Sequence, residues 1–112
     1  MKNNKNYPIA LFNGTVATTN GLFSVEDISV EEAKKYIDEN GFISAVGHQA
    51  TAAIMAEAFN KDIKMNRIQF HQSVGQLAIA FKLDQRPAEG VILDKSELEA
   101  IGYSFKLMKR LE

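Results

Sequence analysis

The chain has 112 residues and a formal net charge of -1, from 13 basic and 14 acidic side chains. This length predicts one domain, and the balanced charge argues against a protein that coats DNA or long RNA by bulk attraction. The absence of cysteine excludes disulfides, thiolate zinc sites and thiol catalysis. The first six residues are polar, so we expect a flexible N-terminal tail over 1–6 and a single domain over 7–112.

No apolar run approaches the ~20 residues that a membrane-spanning helix needs. The N-terminal sequence MKNNKN lacks the apolar core of a signal peptide. We therefore expect no membrane partner and a cytoplasmic location, which is the host cytoplasm if a virus encodes the chain.

The sequence of the first part of the domain predicts two strands and a helix. Residues 7–12 are apolar and read as a strand, and residues 22–25 contain a short candidate edge strand. Ser29 followed by Glu32 has the spacing of a helix capping box, and Gly41 is typical of a helix end.

The remaining elements follow from the same signals of periodicity, capping and turn residues. They are a strand over 42–46, a helix over 49–60, a hairpin of strands over 68–72 and 76–83, a helix capped by Asp94 or Ser96, and a strand over 103–107. The order predicts an α+β fold: a single domain with a mixed sheet of about five to six strands, flanked by two main helices and one short helix.

The segment with the strongest chemical signal joins a buried strand to a helix through Gly47 and His48. A helix start offers unpaired amides and a partial positive charge, which together bind phosphate groups. A histidine there can serve as an acid or a base near neutral pH. The alternative is that His48 only caps or packs the start of the helix.

Other phosphate-compatible residues also lie where strands end or begin. Asn13 follows the first strand, and Asn66-Arg67 precedes another. In the loop after residue 83, Arg86 can form a two-pronged contact with phosphate, and Glu89 can orient an imidazole or hold the arginine. The alternative for this last pair is an exposed ion pair that contributes little.

The second histidine, His71, is interpreted as a structural residue beside Phe70. With only two histidines, no cysteine and no HExxH-like spacing, we expect no metal site and no cofactor.

Five sequence segments resemble one family. They are GFISAVGHQATA at 41–52, NRI at 66–68, Gly75, RPAEGVIL at 86–93 and YSFKL at 103–107. Together they resemble the viral ring nucleases, the type III anti-CRISPR enzymes of archaeal viruses with relatives in phages and bacteria. The resemblance extends over almost the whole chain.

The resemblance implies a function. Family members bind cyclic tetra-adenylate, the second messenger of type III CRISPR immunity, and cut it into linear di-adenylate. They act as symmetric homodimers without a metal, so the implied partners are this small cyclic RNA and a second copy of the chain.

The resemblance also implies roles for particular residues. His48 corresponds to the catalytic histidine, with Arg86 and Glu89 supporting it. The ligand-holding asparagine and arginine of the family correspond to Asn13 and Arg67, and we expect Gly47, Thr51 and Lys82 to complete the substrate-binding set. The chain departs from many relatives at Gln76 and from some at Val16 and Lys82, which bears on ligand affinity and specificity more than on the reaction.

Two other functions remain open at the level of sequence. The same amides and arginines would serve a binding protein that sequesters a cyclic nucleotide without cutting it. A dimeric interaction protein is the second alternative, with His48 as a helix cap.

Overall fold

The computed structural model describes residues 7–85 and 93–112. Its elements in chain order are β1 (Ile9–Phe12), β2 (Phe23–Ile28), α1 (Val30–Asn40), β3 (Phe42–Ala45), α2 (Gln49–Phe59), β4 (Leu77–Leu83), α3 (Lys95–Ile101) and β5 (Tyr103–Arg110). This arrangement confirms the predicted α+β class, with a mixed five-stranded sheet. The tail predicted over residues 1–6 lies outside the described residues.

The strand order across the sheet is β2-β5-β4-β1-β3. Strand β1 is parallel to both of its neighbours, β3 and β4, whereas β5 is antiparallel to β4 and β2. The carboxyl ends of β1, β3 and β4 therefore meet at one edge of the sheet, which is where α/β proteins usually bind ligands.

The helix ends follow local side-chain chemistry. Ser29 Oγ accepts the Glu32 amide at 3.1 Å, and Glu32 reaches back to the Ser29 amide, so the predicted capping box is confirmed. Gly41 ends this helix with φ of 74°, in the left-handed region that favours glycine. Asp94, not Ser96, caps α3.

The two faces of the sheet bury different side chains. The face that packs against the helices carries large residues of alternating strand positions, and its buried members on the strands are Ile9, Leu11, Leu77, Ile79, Phe81, Phe105 and Leu107. The opposite face carries mostly alanines, namely Ala10, Ala45, Ala78 and Ala80, together with Phe12 and Met108. This division follows from the alternation of side-chain direction along each strand.

The prediction of a strand over residues 68–72 is wrong, because this segment has no strand structure. Its polar Gln72 is buried, which the alternating pattern did not anticipate. Side chains satisfy its backbone in place of a strand partner: Thr18 Oγ1 donates to Phe70 O at 2.5 Å, and Arg110 donates to Gln72 O at 2.7 Å.

Candidate functional site

The edge where β1, β3 and β4 end contains a cavity of about 720 Å³, which we call the His48 cavity. Its volume lies within the range of small-molecule sites. Its lining residues come from the loop after β1, the start of α2, the end of β4 with the residues that follow it, and the region of α3: Asn13, Gly14, Thr15, His48, Thr51, Phe81, Lys82, Leu83, Asp84, Gln85, Leu93 and Leu98.

His48 occupies the position just before α2 with an extended backbone, at φ of -137°. Its side chain makes no capping hydrogen bond to the helix. The imidazole instead turns to Thr51, with Nδ1 at 3.3 Å from Thr51 Oγ1. Thr51 is only 4% exposed, so its hydroxyl is a buried partner of the ring.

Side chains hold both the amide and the carbonyl of Gly47, the residue before His48. The Gly47 amide donates to Asn13 Oδ1 at 3.0 Å, and Arg67 Nε donates to Gly47 O at 2.9 Å. Asn13 comes from the end of β1 and Arg67 from the long loop before β4, so two distant segments converge on this peptide. They fix the backbone position from which the imidazole projects.

Asn13 and Arg67 each keep donors that no described residue uses. Within residues 7–85 and 93–112, Asn13 Nδ2 and the two terminal nitrogens of the Arg67 guanidinium have no hydrogen-bond partner. Both side chains are exposed, and so is Lys82 on the cavity wall. These groups supply unsatisfied N–H donors and positive charge, the chemistry that recognises an anion.

A network around Ser44 keeps Arg67 next to Gly47. Asn66 Nδ2 donates to Ser44 O at 2.8 Å, and the Asn66 amide donates to Val46 O at 2.7 Å. Ser44 Oγ donates in turn to Lys64 O at 2.7 Å. Ser44 was not among the predicted site residues, although a lone hydroxyl in an otherwise apolar strand is a visible signal.

Arg86 and Glu89 lie outside the described residues, so their predicted roles stay predictions. The described residues on either side, Gln85 and Leu93, both line the His48 cavity. Gln76, where the resemblance implies a departure from many relatives, lies at the opposite end of the sheet, just before β4. It is 3% exposed, and its amide group bonds Pro8 O and the Ser73 amide.

A second cavity of about 420 Å³ lies beside the first and shares Asn13 and Gly14 with it. Its other lining residues are Phe12, Val16, Thr18, Ala45, Ile68, Gln69, Phe70 and His71. His71 is exposed there and is not brought into the His48 cavity, and Val16 is 64% exposed.

In the part of the chain that the structure describes, no three His, Asp or Glu side chains are grouped so that they could hold a metal ion. Over the same residues, no helix has the length and apolar character needed to cross a membrane.

The fold and the His48 cavity define a class: a small α+β protein with an anion-compatible cavity at the carboxyl ends of its parallel strands. Residues 9–105 match the model of the STIV B116-like family, and the chain belongs to that family.

Relatives of the chain occur in viruses and in a bacterium. It is 41% identical over 89 residues to protein 26 of Sulfolobus islandicus filamentous virus, covering 79% of this chain and 75% of the relative. It is 39% identical over 93 residues to ORF117 of Acidianus two-tailed virus, covering 80% of each. YddF of Bacillus subtilis is 33% identical over 106 residues, covering 93% of this chain and 98% of the relative.

The fold is similar to that of B116 of Sulfolobus turreted icosahedral virus, with a TM-score of 0.65 over 92% of this chain and 99% of that chain. The two sequences are 17% identical in this comparison, so the likeness concerns the fold.

Proposed function

We propose that the protein is a metal-independent ring nuclease that cleaves cyclic tetra-adenylate into linear di-adenylate. Cleavage would remove the second messenger of type III CRISPR immunity and switch off the effector nucleases that it activates. In a virus this activity is an anti-CRISPR function, and in a host genome it is an off-switch.

The observation that carries the proposal is the arrangement around His48. One imidazole lies at a helix start, on a wall shared with Asn13 and Lys82, while Arg67 holds the adjoining peptide and keeps free donors. A substrate made of linked phosphodiesters would find an acid beside several anion-binding groups. The family resemblance supplies the identity of that substrate.

The reaction that suits this site requires few catalytic groups from the protein, because the substrate supplies the nucleophile. The ribose 2′-oxygen attacks the phosphorus, the bond from phosphorus to the 5′-oxygen breaks, and the 2′-hydroxyl proton passes to solvent. His48 gives a proton to the departing 5′-oxygen, so the products carry a 2′,3′-cyclic phosphate and a 5′-hydroxyl. Holding the 2′-oxygen in line with the leaving group supplies much of the rate enhancement.

The roles of Arg86 and Glu89 in this proposal come from the resemblance. Arg86 would offset the charge that builds on phosphorus in the transition state. Glu89 would orient the imidazole or raise its basicity.

A symmetric dimer fits the same substrate. A ring of four adenylates can adopt two-fold symmetry, and an isologous dimer presents the same cavity twice. Each protomer would then provide one acid for one of two opposite phosphodiesters, which yields two linear dinucleotides.

The test is a chromatographic cleavage assay with a large molar excess of cyclic tetra-adenylate in the presence of a strong chelator. We expect several turnovers per protein, and a rate roughly 10²- to 10⁴-fold lower for His48→Ala. Cyclic tri- and hexa-adenylate serve as substrates of different ring size. Full activity of His48→Ala would refute the assignment of the acid, and loss of wild-type activity in chelator would refute the metal-free mechanism.

A protein that only sequesters the ring is the second candidate, because the free donors of Asn13 and Arg67 do not depend on His48. It predicts a thermal shift with cyclic tetra-adenylate, since ligand at 100 times its dissociation constant adds ~2.7 kcal/mol of stability. It also predicts no product beyond one equivalent. Absence of both the shift and the product would leave a protein that does not recognise this ring.

A further inference from the structure

Thr51 reaches back from the third position of α2 to the residue that precedes the helix. Its Oγ1 lies 3.3 Å from His48 Nδ1, and the residue is 4% exposed. A β-branched side chain in a helix has few rotamers available, so the hydroxyl is held in place by the backbone that carries it. The buried hydroxyl therefore offers the imidazole a rigid partner.

This contact distinguishes the two nitrogens of the ring. In the protonated imidazole both nitrogens carry hydrogen, and Nδ1–H donates to Thr51 Oγ1. No other hydrogen bond to the His48 ring is made within residues 7–85 and 93–112. Nε2 is then the nitrogen left to face a substrate in the cavity.

We propose that Thr51 is a positioning residue: its hydroxyl holds Nδ1 of His48 so that Nε2 delivers the proton to the leaving 5′-oxygen. The inference rests on the ring-nuclease function proposed above. After the proton has left Nε2, Nδ1–H still donates to Thr51, so the ring keeps its orientation through the step. The backbone is fixed independently, because Asn13 and Arg67 hold the Gly47 peptide.

The proposal differs from a direct contact between Thr51 and substrate in what it predicts for kinetics. A positioning residue acts on the chemical step, whereas a residue that only binds substrate changes KM. Thr51→Val preserves the shape of the side chain and removes the hydroxyl. Thr51→Ser keeps the hydroxyl and removes a methyl group.

We expect Thr51→Val to lower the single-turnover cleavage rate about 10- to 100-fold, by analogy with the loss of the hydrogen-bond partner of a metal-bound histidine. KM for cyclic tetra-adenylate should stay within about twofold, because the positioning role assigns the hydroxyl to the imidazole and not to the substrate. Thr51→Ser recovers most of the rate. Thr18→Val is the matched control, since Thr18 bonds Phe70 O beside the second cavity, and it should cleave at the wild-type rate.

Three kinetic outcomes would overturn the proposal. A rise in KM with an unchanged rate would make Thr51 a direct substrate contact. A wild-type rate for Thr51→Val would mean that other groups orient the ring. A rate for Thr51→Ser as low as that for Thr51→Val would assign the effect to lost packing of the methyl group.

Nitrogen NMR of the free protein tests the contact without the reaction. The Nδ1 resonance of His48 should shift in Thr51→Val and return in Thr51→Ser, with His71 as an unchanged internal reference. An unchanged His48 resonance in folded Thr51→Val would overturn the contact. If the wild-type protein cleaves no cyclic oligoadenylate, the ring-nuclease function fails whatever the NMR shows; if it cleaves and Thr51→Val is unaffected, only the positioning role fails.

Discussion

The two ends of the sheet both carry an arginine, but they use it differently. At the amino end of β4, Arg110 bonds three backbone carbonyls, those of Gln72, Asn20 and Glu112. At the opposite end, Arg67 bonds the Gly47 carbonyl through Nε and no other described residue. Each nitrogen of the first guanidinium bonds a backbone carbonyl, whereas the two terminal nitrogens of the second have no partner within residues 7–85 and 93–112.

Neighbouring side chains repeat the contrast. Gln76 bonds Pro8 O and the Ser73 amide, so both ends of its amide group are occupied. Asn13 accepts the Gly47 amide through Oδ1, and its Nδ2 has no partner in the described part of the chain. A polar cluster that satisfies itself stabilises the fold, and one that retains exposed donors can also bind a ligand. The contrast predicts that mutations at the two ends change different measured quantities.

The largest effects should come from replacing each arginine by alanine. Arg110→Ala removes a charged donor from three carbonyls and should lower the free energy of unfolding by about 2 kcal/mol. For a domain of this size that is a fall in Tm of roughly 10 °C. Arg67→Ala should instead weaken binding of cyclic tetra-adenylate about 10- to 100-fold, the effect of losing a charged hydrogen bond.

Thermal unfolding measures the stability of both variants, and ligand titration measures their affinity for cyclic tetra-adenylate. Arg67→Ala should lower stability by less than about 1 kcal/mol, because it gives up one exposed hydrogen bond. Binding should survive in Arg110→Ala at temperatures below its Tm. The assignment of different roles to the two arginines is wrong if Arg67→Ala is the less stable variant and binds the ring normally.

Gln76→Glu comes next and separates fold from affinity at a position where the resemblance implies a departure from many relatives. Glutamate lacks the donor for Pro8 O and places an ionised group where Gln76 is 3% exposed. We expect a loss of about 1–3 kcal/mol in the free energy of unfolding, with unchanged affinity for cyclic tetra-adenylate. Gln69→Glu, at an exposed position, is the control and should be close to neutral. Altered affinity in a folded Gln76→Glu would contradict a purely structural role.

Asn13→Asp should have a smaller effect, confined to binding. Aspartate keeps the oxygen that accepts the Gly47 amide, but it removes the Nδ2 donor and adds negative charge near the phosphates. We expect affinity for cyclic tetra-adenylate to fall about five- to tenfold, with stability unchanged within ~0.5 kcal/mol. Asn13→Ala also loses the acceptor and should be less stable than Asn13→Asp in chemical unfolding. Equal stability of the two variants would show that the Gly47 contact contributes nothing.

The sequence predicted the helices and the central strands because their signals are local. The capping box at Ser29 and Glu32 needs no distant partner, and neither does the alternation of large and small residues along β4. The segment 68–72 was predicted wrongly because its backbone is satisfied by side chains 38 and 52 residues away in sequence. Alternation within five residues cannot detect such contacts.

The candidate site was predicted in part for a similar reason. Pattern and resemblance together named His48, Asn13 and Arg67, and the structure brings them together around the Gly47 peptide. They did not reveal that Thr51 faces the imidazole or that Ser44 anchors the loop. Those contacts depend on the direction in which a side chain leaves its element, which sequence spacing alone does not specify.

The smallest effect is expected on the exposed surface of α1, away from the two ends of the sheet compared above. Hydrogen bonds from Lys61 and Lys34 lower the pKa of Asp38 from its ordinary value of 3.8. A lowered carboxyl pKa stabilises the folded state above the unfolded value, and the contribution disappears as the pH falls through the lowered folded value. Asp38→Asn should therefore be slightly less stable than the wild type at neutral pH and low salt. The two unfolding curves should converge in acid below the folded pKa of Asp38, and also in 1 M salt, where exposed charges are screened.

Asp62→Asn is the matched control, because Asp62 is an exposed carboxylate whose partner Lys64 lies at 3.7 Å. Its stability should equal that of the wild type under all of these conditions. A gap between Asp38→Asn and the wild type that persists in acid would assign the effect to something other than this charge.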